Sequence, residues 1–437
     1  MLQITYMTYI LPHLINLHFV TSSNIKCNTC NTLLFPQLLN HILTDKTHGQ
    51  KFAVIENEVG AVAIDNQIIK KNLDEEIIEV TNGCICCSIR GDLVRALNNL
   101  HAKVDLHGID GILLETTGLA DPAPIIQTFF QNEDIQKKFR LDGVVTVIDA
   151  KHILERLAET KSDGAVNEAA EQIAFADKIL LNKTDLVSDP SVIVKIEEEI
   201  QSINATAPIL HTVQSRVGDP RKELLNIGGF DLDRALQMDA KFLTVERRHR
   251  KDQAVGSIAM EIEGSLNINQ LQRWLGKLVG GADGADDDGD DHDHGNHDHD
   301  SDNENVLYRY KGILSVQGVD RKYIFQGVGM SFQGNFSDEL WGPDEVKKNK
   351  FVFIGRNLNK NYLDEGFRDC LVKPLRFPVG TFVECFTGEP PTGWKEGTVI
   401  QHWDDGNPYR IELYDSKRNI WAPVDIDECI RMSCSAV

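Results

Sequence analysis

The sequence predicts an α/β protein: a parallel sheet covered on both faces, followed by an α+β unit and a small β-barrel. Three observations lead there. Short Val/Ile/Leu runs alternate with helical stretches from about residue 38 to residue 208, the pattern of parallel sheets buried on both sides. Residues 254–376 mix strand-like runs with an amphipathic helix pattern. Residues 377–432 hold short β runs separated by turn formers at Gly388, Gly393, Gly406 and Asn407, a spacing that suggests a small barrel.

In the first unit, spanning residues 38–245, the expected strands are Phe52–Ile55, Ile77–Val80, Gly111–Leu114, Val144–Ile148 and Ile179–Leu181. Each is a nearly continuous apolar run bounded by polar or turn residues. Helical periodicity covers Asp92–Leu100 and Val192–Ile203. Ligands of such folds bind at the carboxyl ends of the strands, and the polar motifs fall there. In the second unit the expected strands are Ile258–Glu261, Leu307–Gln317, Lys322–Met330 and Phe351–Ile354. Asn267 is placed to cap a helix carrying Leu271, Trp274, Leu275 and Leu278 at helical spacing. Residues 280–305 interrupt this unit with a low-complexity Asp/His stretch that includes His292, His294, His297 and His299. Nothing in it can bury, so it reads as a disordered insertion.

The chain has 437 residues, 41% of them hydrophobic, and a net charge of -21. The length implies two or three domains. The negative charge argues against nucleic-acid binding along the chain. No apolar run is long enough to cross a bilayer, and residues 1–20 lack the basic start of a secretory signal. Nine cysteines, three of them within four positions, fit a metal site better than a disulfide framework and point to a reducing compartment such as the cytoplasm, with an organelle not excluded.

Three motifs carry chemistry. Asn182-Lys183-Thr184-Asp185 follows the strand Ile179–Leu181. A carboxylate there can accept two hydrogen bonds from guanine, a pair that adenine does not offer. Glu115-Thr116-Thr117-Gly118 follows the strand Gly111–Leu114. An acid at a strand end suits hydrated Mg2+, and Gly118 would let the backbone approach a γ-phosphate. Gly83-Cys84-Ile85-Cys86-Cys87 offers soft thiolates for Zn(II) or a similar ion. Three ligands leave a coordination position open, as a delivery site needs. The alternatives are inert buried cysteines or a redox pair, a plain strand-to-helix connection at Pro122, and a chance match to the four-residue guanine motif.

Together these motifs resemble the CobW-type metallochaperone GTPases, relatives of UreG and HypB. The resemblance runs from Leu38 to about Leu375 and implies a P-loop GTPase-like domain followed by a CobW C-terminal domain. It implies GTP hydrolysis with Mg2+, zinc (or Co2+ or Ni2+) as cargo, and a client metalloprotein as partner. Cys84, Cys86, Cys87 and Glu58 would hold metal, Glu115 and Gly118 would serve catalysis, and Asn182, Lys183 and Asp185 would read the nucleotide. Nucleic acid and membranes are not expected partners. The last unit resembles an SH3-like or Tudor-like barrel that could dock a protein, with Trp394, Trp403, Tyr409 and Trp421 either lining a peptide face or filling its core.

Two departures stand out. The family carries a further acid after Asn57-Glu58-Val59-Gly60, where this chain has Ala61. Its phosphate loop, Gly-x-x-Gly-x-Gly-Lys-Thr-Thr, should end just before Leu38, where the chain instead reads Thr32-Leu33-Leu34-Phe35-Pro36-Gln37. Residues 1–37 are therefore left unassigned, as an atypical segment in place of the loop. Either a different first segment has been joined to the domain, which the abrupt onset of resemblance favours, or the chain is a metal-binding adaptor that has lost nucleotide binding. Cys27 and Cys30 lie in this segment without a second pair to complete a site.

Overall fold

The computed structural model describes residues 15–22, 34–55, 89–107, 109–116, 122–159, 167–230, 255–280, 306–389, 393–404 and 407–433. The expected strand Ile77–Val80, the segment Asn57–Gly60, the cysteine motif and the Asp/His insertion after Gly280 lie outside these residues. The chain divides into two compact units.

The first unit is built on six parallel strands: β1 (Ile15–Ser22), β2 (Phe52–Ile55), β3 (Gly111–Thr116), β4 (Phe139–Asp149), β5 (Lys178–Asn182) and β6 (Ile209–Thr212), in the order β2-β3-β1-β4-β5-β6. The parallel sheet expected from the apolar runs is present. β4 and β5 are buried along nearly their whole length, the signature of a strand covered on both sides. The helix Leu34–Thr44 presents Leu38, Leu39, Ile42 and Leu43 to a core with Phe52, Val54, Leu113, Val145 and Leu180. Pairs spaced four apart lie on one helix face, and each such side chain contributes about 1.5–3 kcal/mol through burial.

Three differences from the expected elements have physical causes. β1 sits in the middle of the sheet, with Phe19 registered to Leu114 on one side and Val144 on the other. Its mixed composition, with Asn16 and His18 among apolar residues, hides it from a search for continuous apolar runs. β6 is only four residues long and was not among the expected strands. β3 runs through Glu115 and Thr116, so these residues close the strand rather than follow it.

The second unit contains two antiparallel sheets. The larger has the order β10-β9-β8-β11-β7, with β7 at Val255–Glu263, β8 at Val306–Ser315, β9 at Arg321–Val328, β10 at Ser331–Leu340 and β11 at Lys348–Arg356. The helices Ile268–Gly280 and Lys360–Asp369 share one core with this sheet, Leu271, Leu275, Leu363 and Phe367 packing with Tyr310, Leu314, Phe351 and Phe353. Asn267 caps the first helix as expected, its side-chain oxygen accepting from the N–H groups of Asn269 and Gln270 at 3.0 and 3.2 Å. Trp274 stands edge-on to Phe353 and Phe367. Gly366 makes room for it: a Cβ there would lie 2.1 Å from the indole nitrogen. β10 went unread because most of its residues are exposed and carry no apolar alternation.

The smaller sheet has the order β15-β14-β13-β12-β16, formed by Phe382–Glu389 (β12), Gly393–Asp404 (β13), Asn407–Leu413 (β14), Asn419–Ala422 (β15) and Ile430–Met432 (β16). Its outer strands β15 and β16 do not pair among the described residues, which form a five-stranded sheet and do not show the closure of the barrel expected from the turn spacing. Of the aromatics singled out there, Tyr409 fills the core with Val383, Val399 and Ile411. Its hydroxyl donates to Asp425 at 2.8 Å. Trp394 and Trp403 are partly buried, and Trp421 is exposed.

Candidate functional site

At the carboxyl edge of the first sheet, β4, β5 and β6 end side by side, with Asp149 registered to Asn182 and Asn182 to Thr212. Asn182 is wholly buried. Its Nδ2 donates to Ser215 Oγ at 2.9 Å, while its Oδ1 accepts from the Ser215 N–H at 2.8 Å and from Thr212 Oγ1 at 3.2 Å. The Asn therefore ties the end of β5 to the turn after β6, where Gln214 and Ser215 both have left-handed φ values.

Lys183 follows with φ 61° and ψ 32°. This left-handed conformation is uncommon for residues other than glycine. It swings the chain out of the strand and into a short 3-10 turn, Thr184–Leu186. The Lys183 ammonium donates to Asp149 Oδ2 at 2.9 Å, and Thr184 Oγ1 donates to the Thr212 carbonyl at 3.3 Å. Asp185 is exposed and has no hydrogen-bond or ion-pair partner among the described residues. Three residues of the loop are thus fastened, and the one carboxylate suited to reading a base is left open.

Asp149 is buried at the end of β4. Burial alone would raise its pKa. Hydrogen bonds from Lys183 and His152, the Lys183 charge and the Lys151 N–H outweigh that and hold the carboxyl below the ordinary aspartate value. A depressed native pKa contributes stability that is fully present above the unfolded value, about 4, and is lost as pH falls through the native value. Denaturant unfolding at a series of pH values should therefore show Asp149→Asn flattening the acid side of the stability curve below about pH 4. An unchanged acid slope would sink this assignment.

The remaining expected site residues fall elsewhere. The Glu115 backbone lies at the carboxyl end of β3, registered to Val20 of β1. Val20 is level with Val145, and Val145 with Lys178. Glu115 and Asn182 are therefore three strand spacings apart across the sheet, about 14 Å, and four residues apart along it, about 13 Å. The Glu115 side chain, Gly118, Glu58, Cys84, Cys86 and Cys87 lie outside the described residues. No cluster of three metal-ligating side chains occurs among the described ones. β1 ends at Ser22 and the first helix begins at Leu34, so a phosphate loop ending just before Leu38 would fall in the connection 23–33 and the first turn of that helix. That connection contains Lys26 but no glycine.

Asp149, Thr212 and Ser215 were not among the expected site residues. Asp149 carried a weak signal, as an acid ending an apolar run beside a motif strand. Thr212 and Ser215 carried none, because β6 itself was unread.

Comparison with known proteins bears on both the first unit and the larger sheet of the second. Residues 36–211 match the family model "CobW/HypB/UreG, nucleotide-binding domain" and residues 255–371 match "Cobalamin synthesis protein cobW C-terminal domain". The zinc chaperone YjiA of Escherichia coli is 35% identical over 336 residues, covering 76% of this chain and 92% of that protein. The zinc-regulated GTPase metalloprotein activator 1 of Saccharomyces cerevisiae is 35% identical over 202 residues, 43% of this chain and 46% of that protein. Among solved structures, the Zn(II)-bound YjiA GTPase from E. coli superposes with a TM-score of 0.59 at 28% identity, covering 82% of this chain and all of that one. Two tandem domain matches, and a relative aligned over nearly its full length, establish that this chain belongs to the CobW/HypB/UreG family and carries the CobW C-terminal domain.

Proposed function

We propose that this protein is a GTP-dependent metallochaperone that delivers zinc to client proteins, with hydrolysis driving release. The observation that carries the reading is the loop Asn182–Asp185, braced at three residues and open at Asp185. In this reading Asp185 accepts the two guanine N–H groups, the Lys183 stem lies along the base, and Asn182 holds the loop. Glu115 and Gly118 serve Mg2+ and the γ-phosphate. The Glu115 backbone, at the end of β3, lies far enough from Asn182 that an extended ligand, such as a nucleoside triphosphate, is needed to reach both. Cys84, Cys86 and Cys87, with Glu58, hold the zinc cargo. Bound GTP favours the tight-holding state, and hydrolysis shifts the population toward release.

The histidines of residues 280–305 supply weak metal capture on the same chain as the thiolates, raising the local concentration of metal. The last sheet, whose strand order brings β16 back beside β12, serves as an SH3-like docking module. A cytoplasmic location fits the thiolate-rich motif. No helix among the described residues is long and apolar enough to cross a membrane.

The test is zinc affinity, measured by competition with a chelating dye, with and without Mg-GTP. The expected result is a tightening of about tenfold or more, which corresponds to about 1.4 kcal/mol of coupling. Equal affinity in both conditions would overturn the nucleotide-gated reading. It would favour the second one, a metal-binding adaptor without GTPase function, which the glycine-free connection 23–33 supports.

A further inference from the structure

The contacts around the guanine loop assign a role to a residue that none of its motifs contains. We propose that Asp149 is the positioning residue for guanine-nucleotide recognition, acting through Lys183; this rests on the GTP reading above. Asp149 has two oxygens and three donors. Oδ1 accepts the Lys151 N–H at 2.9 Å. Oδ2 lies 3.1 Å from His152 Nδ1 and accepts the Lys183 ammonium at 2.9 Å. The carboxylate is fixed from its own side by the backbone and the imidazole, so it is a rigid anchor for the lysine.

Lys183 needs such an anchor. Its backbone occupies the left-handed region, which a side chain with a Cβ enters only when its surroundings hold it there. Asn182, the residue before it, is fastened to Ser215 and Thr212, and Asp149 fastens the far end of the lysine. Between them they set the direction in which the chain leaves β5, and therefore where Asp185 projects. A lysine released from Asp149 regains its rotamer freedom, the turn loosens, and the exposed carboxylate loses its aim. Neither Asp149 nor His152 touches the base in this scheme. The aspartate acts on affinity solely by preparing the loop.

A double-mutant cycle on the full-length chain separates positioning from a merely structural ion pair. Mg-GTP binding is titrated for the wild type, Asp149→Asn, Lys183→Met and the double variant, with circular dichroism and melting recorded for each. Loss of a charge-assisted hydrogen bond predicts that each single variant binds GTP about tenfold more weakly. The double variant should be no worse than either single by more than about twofold, because both act through one contact. Losses that multiply to about a hundredfold, or Asp149→Asn binding within about twofold of wild type, overturn the assignment. A wild-type chain that binds no GTP removes the functional reading itself, an outcome distinct from either of these. If Asp149→Asn does not fold, Lys183→Arg against Lys183→Met carries the test. Arginine still reaches Asp149 and should hold affinity within about threefold of wild type, whereas equal loss in both overturns the proposal.

Discussion

Replacing Asn182 with alanine should lower the melting temperature of the first unit by about 6–12 °C and abolish guanine-nucleotide binding. The side chain is fully buried and makes three hydrogen bonds, two of them to Ser215. Each is worth about 1 kcal/mol net, so the loss is about 3 kcal/mol before any cavity term. In a domain of this size 1 kcal/mol moves the midpoint by roughly 2–4 °C. Asp185→Ala is the informative partner. Asp185 is exposed and without a partner among the described residues, so its removal should leave stability within about 0.5 kcal/mol while still eliminating discrimination of GTP from ATP. Differential scanning calorimetry and nucleotide titration on both variants give a two-by-two outcome. An Asn182→Ala protein that melts like the wild type would show that the brace does not form. An Asp185→Ala protein that still prefers GTP would show that the loop does not read the base.

The contrast between these two residues shows where sequence reading succeeds. The motif Asn182–Asp185 was visible because it follows a run of buried apolar residues, and Ile179–Leu181 is indeed the buried interior of β5. Residue identity alone pointed to the carboxylate that stays open. It did not reveal the left-handed turn at Lys183, because that conformation is usually signalled by glycine or asparagine. The tie to Asp149 spans 34 positions in sequence and depends on β4 and β5 being neighbours. The brace to Ser215 depends on β6, a four-residue strand too short to show a period. The sheet was legible for the same reason as the motif: strands buried on both faces need continuous apolar residues. β1 broke that rule with Asn16 and His18 and was missed although it is central. Closure of the last module was not legible either, since turn spacing reports how many strands there are and how they pair in sequence. It does not report whether the outer two meet.

Locating β1 also turns the absent phosphate loop into a defined experiment with the largest effect expected here. The strand ends at Ser22, and the helix that packs through Leu38, Leu39, Ile42 and Leu43 begins at Leu34. The segment between strand and buried helix face is therefore where backbone N–H groups and a lysine would meet the β- and γ-phosphates. Replacing residues 23–37 with Gly-x-x-Gly-x-Gly-Lys-Thr-Thr, directly before Leu38, should restore that nest while keeping β1 and the helix face formed by Leu38, Leu39, Ile42 and Leu43, with Lys-Thr-Thr taking over the first turn of the helix. Four charge-assisted hydrogen bonds at about 1.5 kcal/mol each give roughly 6 kcal/mol, or about four decades in GTP affinity. The gain should fall on GTP and GDP far more than on guanosine, because the new donors face phosphate. Asp185→Ala in the grafted chain should cancel the preference for guanine while leaving most of the phosphate contribution in place. A graft that folds, as judged by an unchanged melting temperature, yet binds GTP no better than the parent would mean that the carboxyl edge of this sheet is not a nucleotide site. The metal-binding adaptor would then be the reading left standing.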